Sequence, residues 1–138
     1  MQFSILIPVV KTKFFKESFE SAAAQTFDDY EIVVLNNKAD ADVSWVKKDP
    51  RVRYFENDEQ LPAPANWNRG VGYCRGDFVI LLSDDDALKP ECLTEVARYR
   101  RENPDVEVVR FLLEEQVEDA KARKITPPGA TVETVDEF

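Results

Sequence analysis

Histidine is missing altogether from this chain of 138 residues. Its absence removes every Ser-His-Asp or Cys-His nucleophile arrangement from within the chain. Any acid-base chemistry must therefore rest on carboxylates. Glycine is scarce, with only four residues, and no glycine-rich loop that would cradle a phosphate can be drawn from them. The two cysteines, Cys74 and Cys92, lack metal-type spacing and read as reduced, partly buried thiols. No apolar run approaches the roughly 20 residues needed to cross a bilayer, so no transmembrane segment is expected. Met1 leads into an apolar stretch with no basic region before it, so no signal peptide is read. The expected location is cytoplasmic, peripheral at the inner face of the membrane if the full-length protein reaches one.

Positive charge is also short. Against 27 acidic residues stand 18 basic ones, a formal net charge of −9 and a pI near 4.6. That average field repels nucleic acid, and no Lys/Arg run opposes it, so no nucleic-acid partner is expected. A phosphate-ester ligand would need a bound cation to offset both its own charge and the protein's. With 43% hydrophobic and 33% charged residues the balance is globular. The length suits one domain over residues 1–138, which buries roughly two-thirds of its unfolded surface without a staple.

Along the chain, strand and helix signals alternate. Residues 3–10 form a nearly continuous apolar run, which suits a strand buried on both faces of a parallel sheet. Phe15, Phe19, Ala22 and Ala23 then fall on one helical stripe. Residues 31–35 predict a second buried strand, residues 44–48 a short helical turn, and residues 52–55 a third strand. A polar, proline-containing loop follows over 56–64. Residues 66–74 predict a helix with Trp67, Val71 and Cys74 on its apolar side, ended by Arg75 and Gly76. Residues 78–82 are the most apolar stretch and predict the central strand. Pro90 opens another helix carrying Leu93, Val96, Ala97 and Arg100 on one face, ended at Asn103-Pro104. Residues 106–113 predict a further strand, 116–124 a helix and 126–129 a loop; the pattern is poorly defined over 114–138. The architecture expected is α/β with a mostly parallel central sheet flanked by helices.

Ligands of open α/β sheets bind beyond the carboxyl ends of the strands. Three polar clusters lie at such ends: the segment after Ile7, the pair Asn36-Asn37, and Asp84-Asp85-Asp86. Three consecutive carboxylates repel one another where a hydrophobic strand stops, and a hard dication such as Mg²⁺ or Mn²⁺ would relieve them. Asp84 and Asp86, two residues apart, can lean toward one site from an extended segment. Their bland reading is a solvated turn at a helix start. Asn36 and Asn37 can donate to and accept from a base or ribose, or simply form a turn. Trp67 reads as a core residue rather than as a stacking platform. Asn66 and Asn68 flank it, and Arg69 is either a phosphate partner or a solvated side chain.

Taken in order, these segments resemble the N-terminal part of family-2 glycosyltransferases of the Rossmann-like GT-A fold, over roughly residues 2–112. The series runs through Ser4-Ile5-Leu6-Ile7-Pro8, Phe19-Glu20-Ser21, Gln25-Thr26-Phe27, Glu31-Ile32-Val33-Val34, Asn66-Trp67-Asn68-Arg69-Gly70, Gly76-Asp77-Phe78-Val79 and Leu82-Ser83-Asp84-Asp85-Asp86. The last resembles the family's DxD element. The resemblance implies sugar transfer, with inversion, from a nucleotide-diphosphate sugar donor to an acceptor hydroxyl on a sugar, glycan or lipid-linked molecule. It implies that Asp86, with Asp84, holds Mn²⁺ or Mg²⁺ against the donor's diphosphate. It further implies that Pro8, Val9, Asn36, Asn68, Asp84 and Asp85 form the nucleotide-sugar site.

Departures from the family pattern leave the base open. Val9 stands where a threonine or serine is common, Asn36 where an aspartate usually meets the base, and Trp67 where an arginine often precedes the asparagine. The family's general base lies in a later, acceptor-binding half, and Glu114 and Glu115 do not match its position. No catalytic residue is therefore assigned, and the chain is read as a truncated, donor-binding portion of the fold. The alternative is a nucleotide- or metal-binding module without catalysis. A receiver-like domain is disfavoured because no acid follows the first strand.

Overall fold

The structure is a computed structural model, and it describes residues 1–109. It divides into two units, Met1–Glu95 and the described residues from Val96 onward. In the first unit four strands form one sheet: β1 (Phe3–Val9), β2 (Tyr30–Asn36), β3 (Val52–Glu56) and β4 (Phe78–Leu81). Every pairing is parallel and the order is β3-β2-β1-β4. Helix α1 (Phe15–Ala23) joins β1 to β2, a 3₁₀ turn (Ser44–Lys48) precedes β3, and α2 (Ala63–Val71) joins β3 to β4. The expected α/β architecture is what forms.

Every residue of β1 and β2 is buried, which explains their unbroken apolar reading: strands covered on both faces need no polar alternation. Two polar residues interrupt them as a pair. Ser4 Oγ donates to Glu31 Oε1 at 2.7 Å, and the same carboxylate oxygen accepts the Arg75 N–H at 2.7 Å. Arg53 lies 3.4 Å from the other oxygen. A carboxylate 3% exposed is tolerable because it is both paired and hydrogen-bonded. Together these bonds fasten the turn before β4 to the start of β1. Gly76 permits the approach, since a Cβ there would lie 2.5 Å from the Phe3 carbonyl carbon and the Ser4 nitrogen.

The stripe predicted for α1 is buried at Phe15, Phe19 and Ala22, with Trp45 packed edge-on to Phe19 at 5.2 Å. Two expectations about the first unit fail. The strand predicted to be central, β4, is an edge of the sheet among the described residues, with Val79 and Leu81 exposed. Hydrophobicity records how much a strand wants cover, and the order of strands is set by which neighbours the crossovers deliver. Helix α2 starts at Ala63 rather than 66, behind Pro62 and with a proline in its first turn, and is capped at Gly72 rather than Gly76. Its buried face holds Asn66 and Gly70, while Trp67 and Val71 are exposed. The reason is distance: a Cβ at Gly70 would meet the Leu6 methyls at 2.7 Å. The helix thus rides too close over β1 for a tryptophan to fit beneath it.

Helix α3 spans Cys92–Glu102. Leu93 is fully buried and its N–H donates to Gln25 Oε1 at 3.0 Å. In the second unit the helix stops where Asn103 Nδ2 donates back to the Tyr99 carbonyl, just before Pro104. Of the strand predicted over 106–113, residues 106–109 are not in a strand. The remainder, together with the helix at 116–124, the loop at 126–129 and Glu114 and Glu115, lies outside the described residues. No helix among the described residues is long and apolar enough to cross a membrane.

Candidate functional site

Parallel strands place their carboxyl ends, and the loops that leave them, on one edge of the sheet. On that edge lies a cleft of about 350 Å³, within the first unit. Its first wall is the exit of β1, at Pro8, Val10 and Lys11. The second is the polar segment around Asn37, Gln60 and Leu61 with the start of α2, at Ala63, Asn66 and Trp67. The third is the loop after β4, at Ser83, Asp84 and Asp85. All three polar clusters singled out in the sequence thus border one space.

The aspartates divide their tasks. Asp84 Oδ2 accepts the backbone N–H groups of Val10 and Lys11, each at 2.8 Å. It ties the loop after β4 to the loop after β1 across 74 residues of chain. Its Oδ1 has no hydrogen-bond partner among the described residues. Asp85 is exposed on the cleft wall. Asp86 is exposed beyond that wall, its N–H closing a turn onto the Ser83 carbonyl at 3.3 Å. Among the described residues no three acidic or cysteine side chains converge as a ready-made metal cage. That arrangement still fits a hard dication shared with a diphosphate, which typically takes one or two protein carboxylates and completes its shell with phosphate oxygens and water.

Behind the opposite wall lies a chain of buried asparagines. Asn37, Asn57 and Asn66 are each 2% exposed or less. Asn57 Nδ2 donates to Asn37 Oδ1 at 2.8 Å and to Asn66 Oδ1 at 2.7 Å. Asn57 Oδ1 accepts Arg69 Nη1 at 2.9 Å. Asn37 also exchanges bonds with the Leu61 backbone, donating to its carbonyl and accepting its N–H. This lattice fixes the loop over 57–61 and the first turn of α2 against the end of β2. Asn57 carried no signal in the sequence beyond its place in a polar loop.

The residues predicted for the nucleotide-sugar site thus occupy different depths. Pro8, Asp84 and Asp85 line the cleft. Val9 is wholly buried behind it, its carbonyl accepting the Asn37 N–H at 2.9 Å. Asn36 is 9% exposed, donates to the Tyr54 hydroxyl at 2.9 Å and accepts the Ala39 N–H at 2.8 Å, which holds the turn at 36–39. Burial pushes the Tyr54 phenol above its ordinary pKa, so it remains protonated. Asn68 is exposed on α2, outside the cleft lining. Trp67 is 43% exposed and lines the cleft.

Residues 4–136 match the family model described as glycosyl transferase family 2. A GalNAc(5)-diNAcBac-PP-undecaprenol beta-1,3-glucosyltransferase of Campylobacter jejuni is 30% identical over 106 residues, covering 72% of this chain and 34% of that protein. An uncharacterized glycosyltransferase of Methanocaldococcus jannaschii is 29% identical over 103 residues, 70% of this chain and 36% of the relative. The chain therefore spans roughly a third of the length of these relatives. In structure it is similar to Staphylococcus aureus TarS 1-349 in complex with UDP-GlcNAc, with a TM-score of 0.69 over 75% of this chain and 32% of that one, at 21% identity. The fold is accordingly the Rossmann-like, GT-A-type fold of that protein. With a family match running over nearly its whole length, the chain belongs to glycosyltransferase family 2.

Proposed function

We propose that this chain is the donor-binding part of a metal-dependent, inverting glycosyltransferase that takes its sugar from a nucleotide-diphosphate sugar. The observation that supports it most is the cleft itself: in a family-2 chain, carboxylates after β4 face a partly apolar wall from β1 and α2 that carries no other acid. The nucleoside lies against Pro8 and Trp67, and the diphosphate lies toward Asp84 and Asp85, with Asn68 reaching its periphery. Val9 and Asn36 act from behind, holding the turn that shapes the nucleoside end. Asp86, with the free oxygen of Asp84, would hold Mn²⁺ or Mg²⁺. When bound, such an ion supplies a Lewis acid that neutralises charge developing on the leaving diphosphate. Lys11, also on the cleft wall, carries an ammonium paired with Asp40 at 3.7 Å. The acceptor is a sugar, glycan or lipid-linked hydroxyl, and the general base belongs to the acceptor-binding half.

Thermal unfolding with UDP, dTDP, CDP and GDP, each with and without Mn²⁺, tests this reading. A ligand at about 100 times its Kd stabilises the native state by about 2.7 kcal/mol. The expected result is a raised midpoint that needs both nucleotide and metal and is lost in Asp86→Ala. No shift with any nucleotide, in a sample that unfolds cooperatively, would overturn it.

A further inference from the structure

The buried asparagine lattice has a polarity, and Arg69 sets it. A guanidinium only donates, so the Asn57 side-chain atom facing Arg69 Nη1 is the oxygen, which turns Nδ2 toward Asn37 and Asn66. Asn37 meets that donor with its oxygen, since its own nitrogen is spent on the Leu61 carbonyl. Asn66 must likewise present its oxygen to Asn57. Its amide orientation is then fixed without reference to any ligand: Oδ1 faces inward and Nδ2 is the end left over. That nitrogen has no hydrogen-bond partner among the described residues, although Asn66 is 1% exposed and lines the cleft. A donor held this firmly cannot rotate into an acceptor without breaking the bonds behind it.

We propose that Asn66 Nδ2 is a specificity-determining donor that selects a nucleobase carbonyl, so that the cleft takes a diketo pyrimidine nucleotide in preference to an amino one. This rests on the nucleotide-sugar reading given above. Trp67, next along α2 and on the same cleft wall, offers the flat ring on which a base stacks. Uracil and thymine carry a carbonyl where cytosine, of nearly the same shape, carries an amino group. Cytosine would therefore point a donor at a donor, leaving both unpaired in a confined site. Asn36, at the end of β2, has both side-chain ends committed to Tyr54 and Ala39. Asn66 is thus a rigid, uncommitted amide on that wall, beside the exposed Gln60.

The experiment is calorimetric titration of the full chain in Mn²⁺ with UDP, dTDP and CDP, for wild type and Asn66→Asp. Aspartate keeps an oxygen for Asn57 Nδ2 and converts the unpartnered donor into an acceptor. Wild type is expected to bind UDP and dTDP roughly tenfold more tightly than CDP. In Asn66→Asp that ratio is expected to fall to one or invert, whatever happens to overall affinity. Nucleotide binding with an unchanged ratio in the variant overturns the role of Asn66 and leaves the donor-site reading standing. Failure of wild type to bind any nucleotide overturns both. Should Asn66→Asp not fold, the wild-type Asn66 side-chain NH₂ resonances decide. They are expected to move with UDP and not with CDP, and equal responses overturn the proposal.

Discussion

Among the three consecutive aspartates, replacement of the first should unfold the protein more readily even when no metal or nucleotide is present. Asp84 Oδ2 receives two backbone N–H groups at 2.8 Å, one part-buried at Val10 and one exposed at Lys11. Hydrogen bonds to a charged group typically contribute about 1.5–3 kcal/mol each, and the exposed one belongs below that range because water replaces it. Asp84→Ala should therefore cost about 2–3 kcal/mol, a large share of the 5–15 kcal/mol typical of a domain. Asp84→Asn keeps an acceptor oxygen without the charge and should cost about half as much, since charge-assisted bonds are roughly twice as strong. Asp86→Ala, an exposed carboxylate without such partners, should stay within about 0.5 kcal/mol of wild type. The assay is urea unfolding followed by circular dichroism in chelator, comparing midpoints at constant slope. Equal stabilities for Asp84→Ala and wild type, or equal losses for Asp84→Ala and Asp86→Ala, would refute the division of labour drawn from the geometry.

Gly76→Ala should be the more damaging of two glycine replacements. Its Cβ would lie 2.5 Å from β1 backbone, and relief would break the Ser4 Oγ bond to the Gly76 N–H and the Phe78-to-Gln2 bond; a loss of about 3 kcal/mol or more is expected. Gly72→Ala, at φ −62° and only 3.3 Å from one carbonyl, should stay within about 0.5 kcal/mol in the same urea assay. The third prediction concerns pH. A bidentate bond from Arg51 holds the Asp49 carboxyl below its ordinary pKa. Its contribution is therefore present above the unfolded value of about 4 and lost as pH falls through the lowered one. Asp49→Asn should be about 1 kcal/mol less stable than wild type at pH 7, discounted because Arg51 is 36% exposed. The gap should close as the solution is acidified, and a constant gap across the acid range would contradict the ion-pair account.

What the sequence determined by itself was local order and ancestry. Fully covered strands show as apolar runs, so β1 and β2 were legible, as were the α1 stripe and the series of segments that marks the family. The coincidence of three polar clusters at strand ends also followed, because parallel topology puts all such ends on one edge. Other features depended on meetings between residues far apart in the chain, which no periodicity encodes. Asp84 reaches Val10 across 74 positions. Arg69, through Asn57, decides which end of Asn66 faces the cleft. Trp67 was misplaced in the core because an apolar residue on a helix carries no record of how closely that helix will ride over a sheet. At Gly70 and Leu6 the approach is so close that only glycine fits beneath α2, and the tryptophan is left facing the cleft.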